Sequence, residues 1–343
     1  MRIGIAHPER IDARTWSGVP VGLTRGLRAH GAEVVHLTGS STGGTAMRSA
    51  EVAERSEGEI RRAVRAAGPL DGVVQMGSTF TLPEGVRYVT FEDVTVAQAL
   101  AVLDLEAAWA ETWRRRQAEA YSRALACCAA TEWTAGSLTG DYGVPREKVR
   151  VVGFGANLEL EPPAGKAYAP PRFLFLGRGW ERKNGPAVLR AFEALHGEVP
   201  GASLDLVSDH PPVDHPAIRG HGPLPREPEP RREAARRRFL GGLFESATCF
   251  VLPSRFEPYG IAYLEAGGAG VASIGTSAGG AADVIGRGGR VVDPDDDDAL
   301  RAAMLALCDA ATARRLGAEA RRNAAGQTWA GVAGRVLDAL RLG

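Results

Sequence analysis

The sequence is poor in lysine, cysteine and aromatic residues. Lysine occurs only at positions 148, 166 and 183, so nearly all of the 41 basic residues are arginine. Together with abundant alanine and glycine, this bias indicates a high-GC genome, for example an actinobacterial one. Basic and acidic residues are equal in number, and the formal net charge is zero. The composition therefore predicts no general attraction to nucleic acid or to an anionic membrane.

Several kinds of segment are also missing from the sequence. No run approaches the roughly 18 apolar residues that a membrane-spanning helix needs, and the apolar start Met1–Ala6 is too short for a secretory signal peptide. The cysteines at 127, 128, 249 and 308 lack metal-ligand spacing, so we expect buried thiols. These absences together predict a cytoplasmic protein.

What the chain does contain is a repeated alternation of short apolar runs with helical stretches. Such alternation favours parallel sheets covered by helices on both faces. The 343 residues suffice for two domains, and four prolines in residues 158–171 predict a stiff linker between them. We expect a long irregular connector over residues 209–230.

The most informative stretch runs from Ser254 to Gly268, after a short apolar segment that predicts a buried strand. It predicts a tight loop and then a helix from Ile261, whose first N–H groups would suit a phosphate. Gly260 would let a ligand approach the backbone. Glu257 and Glu265 would flank this helix start, where carboxylates suit sugar hydroxyls. An exposed capping glutamate and a surface helical glutamate are the alternative interpretation.

A second charged turn lies between the strand predicted over 173–176 and the next helix. Arg178 and Lys183 flank this turn, and two such cations at a helix start would bind a diphosphate. Arg182 lies between them without a matching role, and we expect it to face solvent or an acceptor.

The first half of the chain offers weaker candidates. Gly18 belongs to a loop between a strand and a helix, where it suits a phosphate or an ordinary turn. Glu92 and Asp93 follow a predicted strand, and Asp93 suits either a ligand contact or the cap of the next helix. Trp109, Trp113 and three arginines at 114–116 form a basic aromatic patch, which predicts either a lipid contact or, more simply, a solvated helix face.

Two further groups of side chains resemble metal ligands only superficially. The histidines at 210, 215 and 221 lack a regular spacing, so we interpret them as loop residues. The four aspartates at 295–298 precede a predicted helix, where capping explains them better than metal binding.

Glu257 and Glu265, seven residues apart behind Pro253-Ser254 and around Gly260-Ile261, resemble the signature of a large family of retaining glycosyltransferases that use nucleotide sugars. This group 1 family, also called glycosyltransferase family 4-like, has the GT-B fold, in which two Rossmann-like doubly wound α/β domains face each other across a cleft. The resemblance is strong from Phe173 to about Pro294.

The resemblance implies roles for residues on both halves. Glu257 would meet the hydroxyls of the donor sugar, Glu265 would hold the ribose, and Arg178 and Lys183 would stabilise the departing diphosphate. Many relatives carry His-Asp where this chain has Glu92-Asp93, which makes these two residues candidates for a contact with the donor sugar or the acceptor. The implied catalytic residues are Arg178, Lys183 and Glu257, and the implied donor-binding residues are Gly18, Arg178, Lys183, Glu257, Tyr259, Gly260, Ile261 and Glu265.

The resemblance also implies a domain organisation. Residues 1–157 would form the acceptor domain, with a C-terminal helix at 328–343 packing back on it, and residues 172–327 would form the donor domain. No metal and no cofactor other than the nucleotide sugar would be needed.

The resulting expectation is a retaining hexosyltransferase that acts on a small-molecule acceptor, for example an antibiotic intermediate. The alternatives are a GT-B sugar-nucleotide epimerase, a glycosyltransferase of glycolipids at the membrane surface, and a non-catalytic two-domain ligand-binding protein. We expect a monomer or a dimer that does not bind nucleic acid.

Overall fold

The computed structural model describes residues 1–41, 50–102, 107–225, 227 and 229–341. The chain forms two compact units: the first is Met1–Gly155 together with the C-terminal segment from Thr328, and the second is Ala156–Gln327. Each unit contains one parallel sheet of six strands. The α/β class expected from the sequence is therefore confirmed.

The sheet of the first unit has the strand order β2-β1-β3-β4-β5-β6. Its helices precede or follow these strands along the chain. The elements are β1 (Arg2–Glu9), α1 (Val19–Ala29), β2 (Glu33–Ser41), α2 (Ala50–Ala66), β3 (Gly72–Met76), β4 (Tyr88–Glu92), α3 (Val96–Leu100), α4 (Ala107–Arg123), β5 (Ala126–Ala129), α5 (Glu132–Gly140), β6 (Val149–Val151) and, at the end of the chain, α12 (Trp329–Arg341).

The central strands of this sheet have no solvent-facing side. Every residue of β3, β4 and β5 is buried, as expected for a parallel sheet whose two faces are both covered. The last helix also belongs to this unit, because Trp329 is buried and its ring stacks on that of Phe154 at 6.0 Å. A Cβ atom at Gly22 would lie 2.2 Å from the Trp329 ring, so only glycine lets α1 approach α12 this closely.

The sheet of the second unit has the order β12-β11-β10-β7-β8-β9. Its core consists mainly of leucine, alanine, valine and phenylalanine side chains from the strands and the helices beside them. The elements are β7 (Arg172–Leu176), α6 (Gly185–Glu198), β8 (Ser203–Val207), β9 (Ile218–Gly220), α7 (Pro230–Ser246), β10 (Cys249–Val251), α8 (Ile261–Gly268), β11 (Ala272–Thr276), α9 (Ala281–Ile285), β12 (Gly289–Val292), α10 (Asp297–Ala306) and α11 (Ala310–Ala325).

Two segments differ from the expectation. The connector expected over 209–230 contains β9, a strand of three residues that pairs with β8; its proline-rich surroundings hid it. The proline-rich segment 158–171, expected as a linker, lies within the second unit, where Leu158 is buried and the Tyr168 hydroxyl donates to the Gly270 carbonyl at 2.9 Å.

Candidate functional site

A buried ion pair lies at the carboxyl end of the second sheet. Lys183, on the loop between β7 and α6, donates to the carboxylate of Glu257, on the loop between β10 and α8. The two side chains are only 11% and 9% exposed. The Ser254 hydroxyl donates to the same carboxylate at 3.0 Å. Burial lowers the pKa of Lys183 from its ordinary value, and the neighbouring Glu257 carboxylate opposes that shift.

The backbone around Glu257 is fixed by a third loop, which follows β11. The Glu257 N–H donates to the Ala278 carbonyl at 2.9 Å, and the Gly280 N–H donates to the Glu257 carbonyl at 3.0 Å. A Cβ atom at Gly279 would lie 2.3 Å from the Glu257 carbonyl oxygen. Glycine at 279 therefore permits the close approach of backbone that holds Glu257 in place.

The start of α8 lies directly beyond this carboxylate. Gly260 is the N-terminal cap with φ +85°, and no side chain caps the helix start. A Cβ atom at Gly260 would lie 2.4 Å from the Tyr263 ring. That ring is held in place because the Tyr263 hydroxyl donates to the Leu252 carbonyl at 2.6 Å. A helix start without a side-chain cap offers N–H groups to an anion.

Other predicted donor residues occupy the same loop and helix. Tyr259 is buried and Ile261 is half-buried. Glu265 lies one turn along α8, is buried, and accepts a hydrogen bond from the Leu158 N–H at 3.2 Å. The structure thus joins Glu257, the helix start and Glu265 in one continuous segment, as the spacing predicted.

The second predicted cation differs from Lys183 in its surroundings. Arg178 is exposed, and its guanidinium makes no ion pair within the described part of the chain. The Arg182 guanidinium donates to the Arg178 carbonyl at 3.3 Å. The turn itself is held by Asp209, whose carboxylate accepts from the Gly179 N–H at 2.9 Å. Arg178 is therefore available to a ligand, whereas Lys183 is already paired.

The remaining predicted residues, Gly18, Glu92 and Asp93, belong to the first unit. Glu92 and Asp93 line a cavity of about 380 Å³ at the carboxyl ends of β1, β3 and β4. Its lining is His7, Pro8, Glu9, Arg14, Trp16, Gly77, Ser78, Thr79, Glu92, Asp93, Val94, Thr95, Val96, Ala99 and Gln117.

One wall of this cavity comes from a left-handed turn before α1. Trp16, Ser17 and Gly18 have φ values of +43°, +54° and +82°, a region that residues other than glycine rarely adopt. The indole N–H of Trp16 donates to the Asp93 carboxylate at 2.9 Å. Asp93 therefore holds Trp16, while Thr95 with Gln98 caps α3; the capping role considered for Asp93 is wrong.

Two titratable side chains of the cavity are kept neutral by burial. Burial raises the pKa of Glu92 to about 8, although its hydrogen bonds from Ser78 act in the opposite direction; the Ser78 N–H donates to the carboxylate at 2.8 Å. Burial lowers the pKa of His7 to about 4. Neither His7 nor Trp16 was predicted as a site residue. The available signal was their position near or beyond the carboxyl end of β1, because ligands bind at that edge of parallel sheets.

Other motifs have structural roles. Trp113 is buried, so it belongs to the core and not to a lipid-facing patch, while the side chain of Trp109 lies outside the described residues. His221 pairs with Asp205 at 2.6 Å, and the rings of His215 and His196 lie 4.9 Å apart. Asp296 caps α10, as predicted. No helix in the described ranges is long and apolar enough to cross a membrane.

Comparison with known proteins gives a consistent result. Residues 170–310 match the family described as glycosyl transferases group 1. Alpha-maltose-1-phosphate synthase of Mycobacterium tuberculosis is 38% identical over 112 residues, which cover 30% of this chain and 29% of that protein. The matched part thus spans less than a third of the length of this curated relative.

Solved structures resemble the whole chain. Sucrose-phosphate synthase from Thermosynechococcus elongatus has a TM-score of 0.74 at 17% identity, covering 99% of this chain and 98% of that one. WaaG, a glycosyltransferase involved in lipopolysaccharide biosynthesis, has a TM-score of 0.69 at 14% identity, covering 98% of both chains. These likenesses confirm the expected GT-B fold.

Proposed function

We propose that this chain, which has a GT-B fold and a group 1 glycosyl transferase domain at residues 170–310, is a glycosyltransferase that uses a nucleoside-diphosphate sugar. The observation that carries the proposal is the buried Lys183–Glu257 pair beside the uncapped start of α8. A buried cation and a helix start are what a diphosphate needs, and a carboxylate beside them is what a sugar hydroxyl needs.

Donor binding would exchange the partners of this pair. In the structure the Lys183 ammonium is neutralised by Glu257. A diphosphate at the α8 start would take over Lys183, since phosphate oxygens are strong acceptors for an ammonium. Glu257 would then be free to accept hydrogen bonds from the donor sugar, still positioned by Ser254 and by the backbone bridge to Gly279.

The same groups would stabilise the transition state. As the bond between the anomeric carbon and the phosphate oxygen breaks, negative charge develops on the departing diphosphate. Lys183, Arg178 and the N–H groups at Ile261 would offset that charge, each donor contributing about 3 kcal/mol. Since these groups supply the positive charge, we propose a reaction that needs no metal ion.

The stereochemical course that we propose is retention. The acceptor hydroxyl forms the new bond to the anomeric carbon on the face that the diphosphate leaves, and its proton passes to the departing phosphate oxygen. Glu257 would orient the sugar for this attack and Glu265 would hold the ribose. We place a small-molecule acceptor, for example a natural-product intermediate, on the first unit, whose cavity of about 380 Å³ falls within the usual range for small ligands.

The test is calorimetry with nucleoside diphosphates and their sugars in the presence of EDTA. We expect one nucleotide to bind, Lys183→Ala and Arg178→Ala each to weaken binding at least tenfold, and Glu265→Ala to weaken it similarly. Arg178→Ala serves as the variant that keeps the fold, because Arg178 is exposed. Lys148→Ala, at a half-buried lysine of the first unit whose ammonium donates to the Ser122 carbonyl at 2.8 Å, is the matched control.

Three results would refute this function. Binding of no nucleotide, or binding that none of the three variants weakens, removes the donor site. Conversion of the donor to an isomer without any acceptor would instead identify a sugar-nucleotide epimerase.

A further inference from the structure

We propose that the cavity of the first unit selects an acceptor that carries hydroxyl or amino groups and no phosphate. This inference rests on the proposed function, because it treats the cavity as the acceptor site. The cavity lies entirely within the first unit, so the evidence for it is independent of the donor residues.

The charges around the cavity favour this class. Three carboxyl groups line it, from Glu9, Glu92 and Asp93, against one guanidinium, from Arg14. The Arg14 side chain is 66% exposed and pairs with Asp12 at 3.3 Å, so it contributes little positive charge to the interior. A phosphate monoester carries nearly two negative charges at neutral pH, and this lining would repel it.

Burial makes His7 and Glu92 uncharged at neutral pH, so the acidic excess of the lining rests on Glu9 and Asp93. Among the residues that the structure describes, His7 is the only other basic side chain of the lining, and burial lowers its pKa to about 4, which leaves it neutral at pH 7. Burial also raises the pKa of Glu92 to about 8. At neutral pH Glu92 therefore presents a carboxylic acid, which both donates and accepts hydrogen bonds and suits a hydroxyl.

The start of α3 offers no substitute for cations in the lining. At the start of α3, the Val96 N–H donates to the Gln117 side chain at 2.8 Å and the Ala97 N–H to the Tyr142 hydroxyl at 3.2 Å. The Gln98 N–H donates to its cap, Thr95. The N–H groups at this helix start are thus already paired, whereas a phosphate site needs unpaired N–H groups.

The remaining lining suits an uncharged or amino-bearing ring. Trp16 is fixed by its hydrogen bond to Asp93, and Val94, Val96 and Ala99 add apolar surface. An indole face attracts the C–H groups of a sugar ring and also a cation, while the Asp93 carboxylate beside it accepts from hydroxyl and ammonium groups. Neither the indole face nor the Asp93 carboxylate attracts an anion.

The experiment follows the indole N–H signals of the full-length, ¹⁵N-labelled protein by NMR, with Trp16→Phe identifying the Trp16 signal. The probes are glucose, glucosamine and glucose 6-phosphate, which share one ring and differ in charge. We expect glucose and glucosamine to shift the Trp16 signal saturably and glucose 6-phosphate to need at least tenfold higher concentration. A tenfold gain for glucose 6-phosphate in Val94→Arg would support the charge argument further.

The matched pair of variants is Asp93→Asn, within the lining, and Glu119→Gln, on α4 outside it. Asp93→Asn is expected to reduce the preference for glucosamine over glucose 6-phosphate at least threefold, and Glu119→Gln to leave it unchanged. An equal or stronger response to glucose 6-phosphate in the unmodified protein overturns the proposal, as does the absence of a saturable shift with all three probes. Failure here with intact nucleotide binding refutes only the acceptor class; failure of nucleotide binding refutes the donor site.

Discussion

The two units present the same type of edge, the carboxyl ends of a six-stranded parallel sheet. They differ in the charges and in the helix caps at that edge. In the second unit the α8 start has no side-chain cap and lies beside the Lys183–Glu257 pair. In the first unit the α3 start is saturated by Thr95, Gln117 and Tyr142, and the lining is mostly acidic or apolar. On the proposals made above, one architecture would bind an anion at the α8 start and repel it at the α3 start, according to the side chains there.

Both sheet edges also contain residues with left-handed backbone conformation, but they differ in which residue types adopt it. Gly260 adopts φ +85° before α8, and Trp16 and Ser17 adopt φ +43° and +54° before α1. The turn before α1 holds residues other than glycine in this conformation because the Trp16 indole donates a hydrogen bond to Asp93. Backbone strain at such a position persists only when its surroundings hold it.

The largest effect is expected from breaking the ion pair of the second unit. Lys183→Ala leaves the Glu257 carboxylate buried without its cation, which costs about 3 to 5 kcal/mol of unfolding free energy. Sugar transfer should fall roughly 100- to 1000-fold, because the charge on the leaving diphosphate loses its main partner. Urea-induced unfolding and initial transfer rates measure the two losses.

The double variant Lys183→Ala/Glu257→Ala separates those losses. It should regain most of the unfolding free energy, since no buried charge is left alone, while transfer stays low. Equal stability of the single and double variants would show that the pair does not couple. Lys148→Ala should leave transfer unchanged and lower the unfolding free energy by at most about 1 kcal/mol, because it loses only its hydrogen bond to the Ser122 carbonyl.

A smaller effect is expected from adding a side chain at Gly260, in the turn before α8. Gly260→Ala places a Cβ atom 2.4 Å from the Tyr263 ring and imposes a positive φ on alanine, which together cost about 2 to 3 kcal/mol. Nucleotide affinity should fall about tenfold as the helix start shifts, as calorimetry would record. Gly197→Ala, a helical glycine with open space around it, should instead stabilise the protein by about 0.5 to 1 kcal/mol; a loss of stability in both variants would count against the steric explanation.

The smallest effect concerns pH in the first unit. The native pKa of Glu92 is raised to about 8 from 4.5, so between pH 6.5 and 8 the native state holds a proton that the unfolded state has lost. The unfolding free energy should therefore fall with rising pH by about 2 kcal/mol over this window. Urea unfolding at pH 6.5 and 8 should show this decline in the unmodified protein and its absence in Glu92→Gln.

The groups around Glu92 do not reverse the expected decline in unfolding free energy between pH 6.5 and 8. Those that face Glu92 are Ser78, Asp93, Tyr121, Tyr142 and Cys127, and burial raises the pKa of both tyrosines and of the thiol. His7 acts in the opposite sense, because the unfolded chain binds its proton and the native state does not; above pH 6.5 this offsets only about 0.4 kcal/mol of the decline. Parallel pH curves for the unmodified protein and Glu92→Gln would contradict the assignment.

Much of the proposed donor site was predictable because its determinants are local. Gly260, the following helix and the seven-residue interval between Glu257 and Glu265 lie in one short segment, where turn chemistry and helical spacing fix the geometry. The cavity of the first unit was not predictable in this way. Its lining combines the ends of three strands with the turn at Trp16, and no local spacing in the sequence predicts that these segments meet.

The sequence by itself determined the alternation of strands and helices, the α/β class and the charged residues that stand at each strand end, because these follow from local periodicity and turn residues. The tertiary structure decided which of those residues meet and in what charge state. Lys183 reaches Glu257 across 74 positions and Trp16 reaches Asp93 across 77. Glu92 is kept protonated by burial. Such pairings and pKa shifts depend on the packing of distant segments and on exclusion of water, which no local pattern specifies.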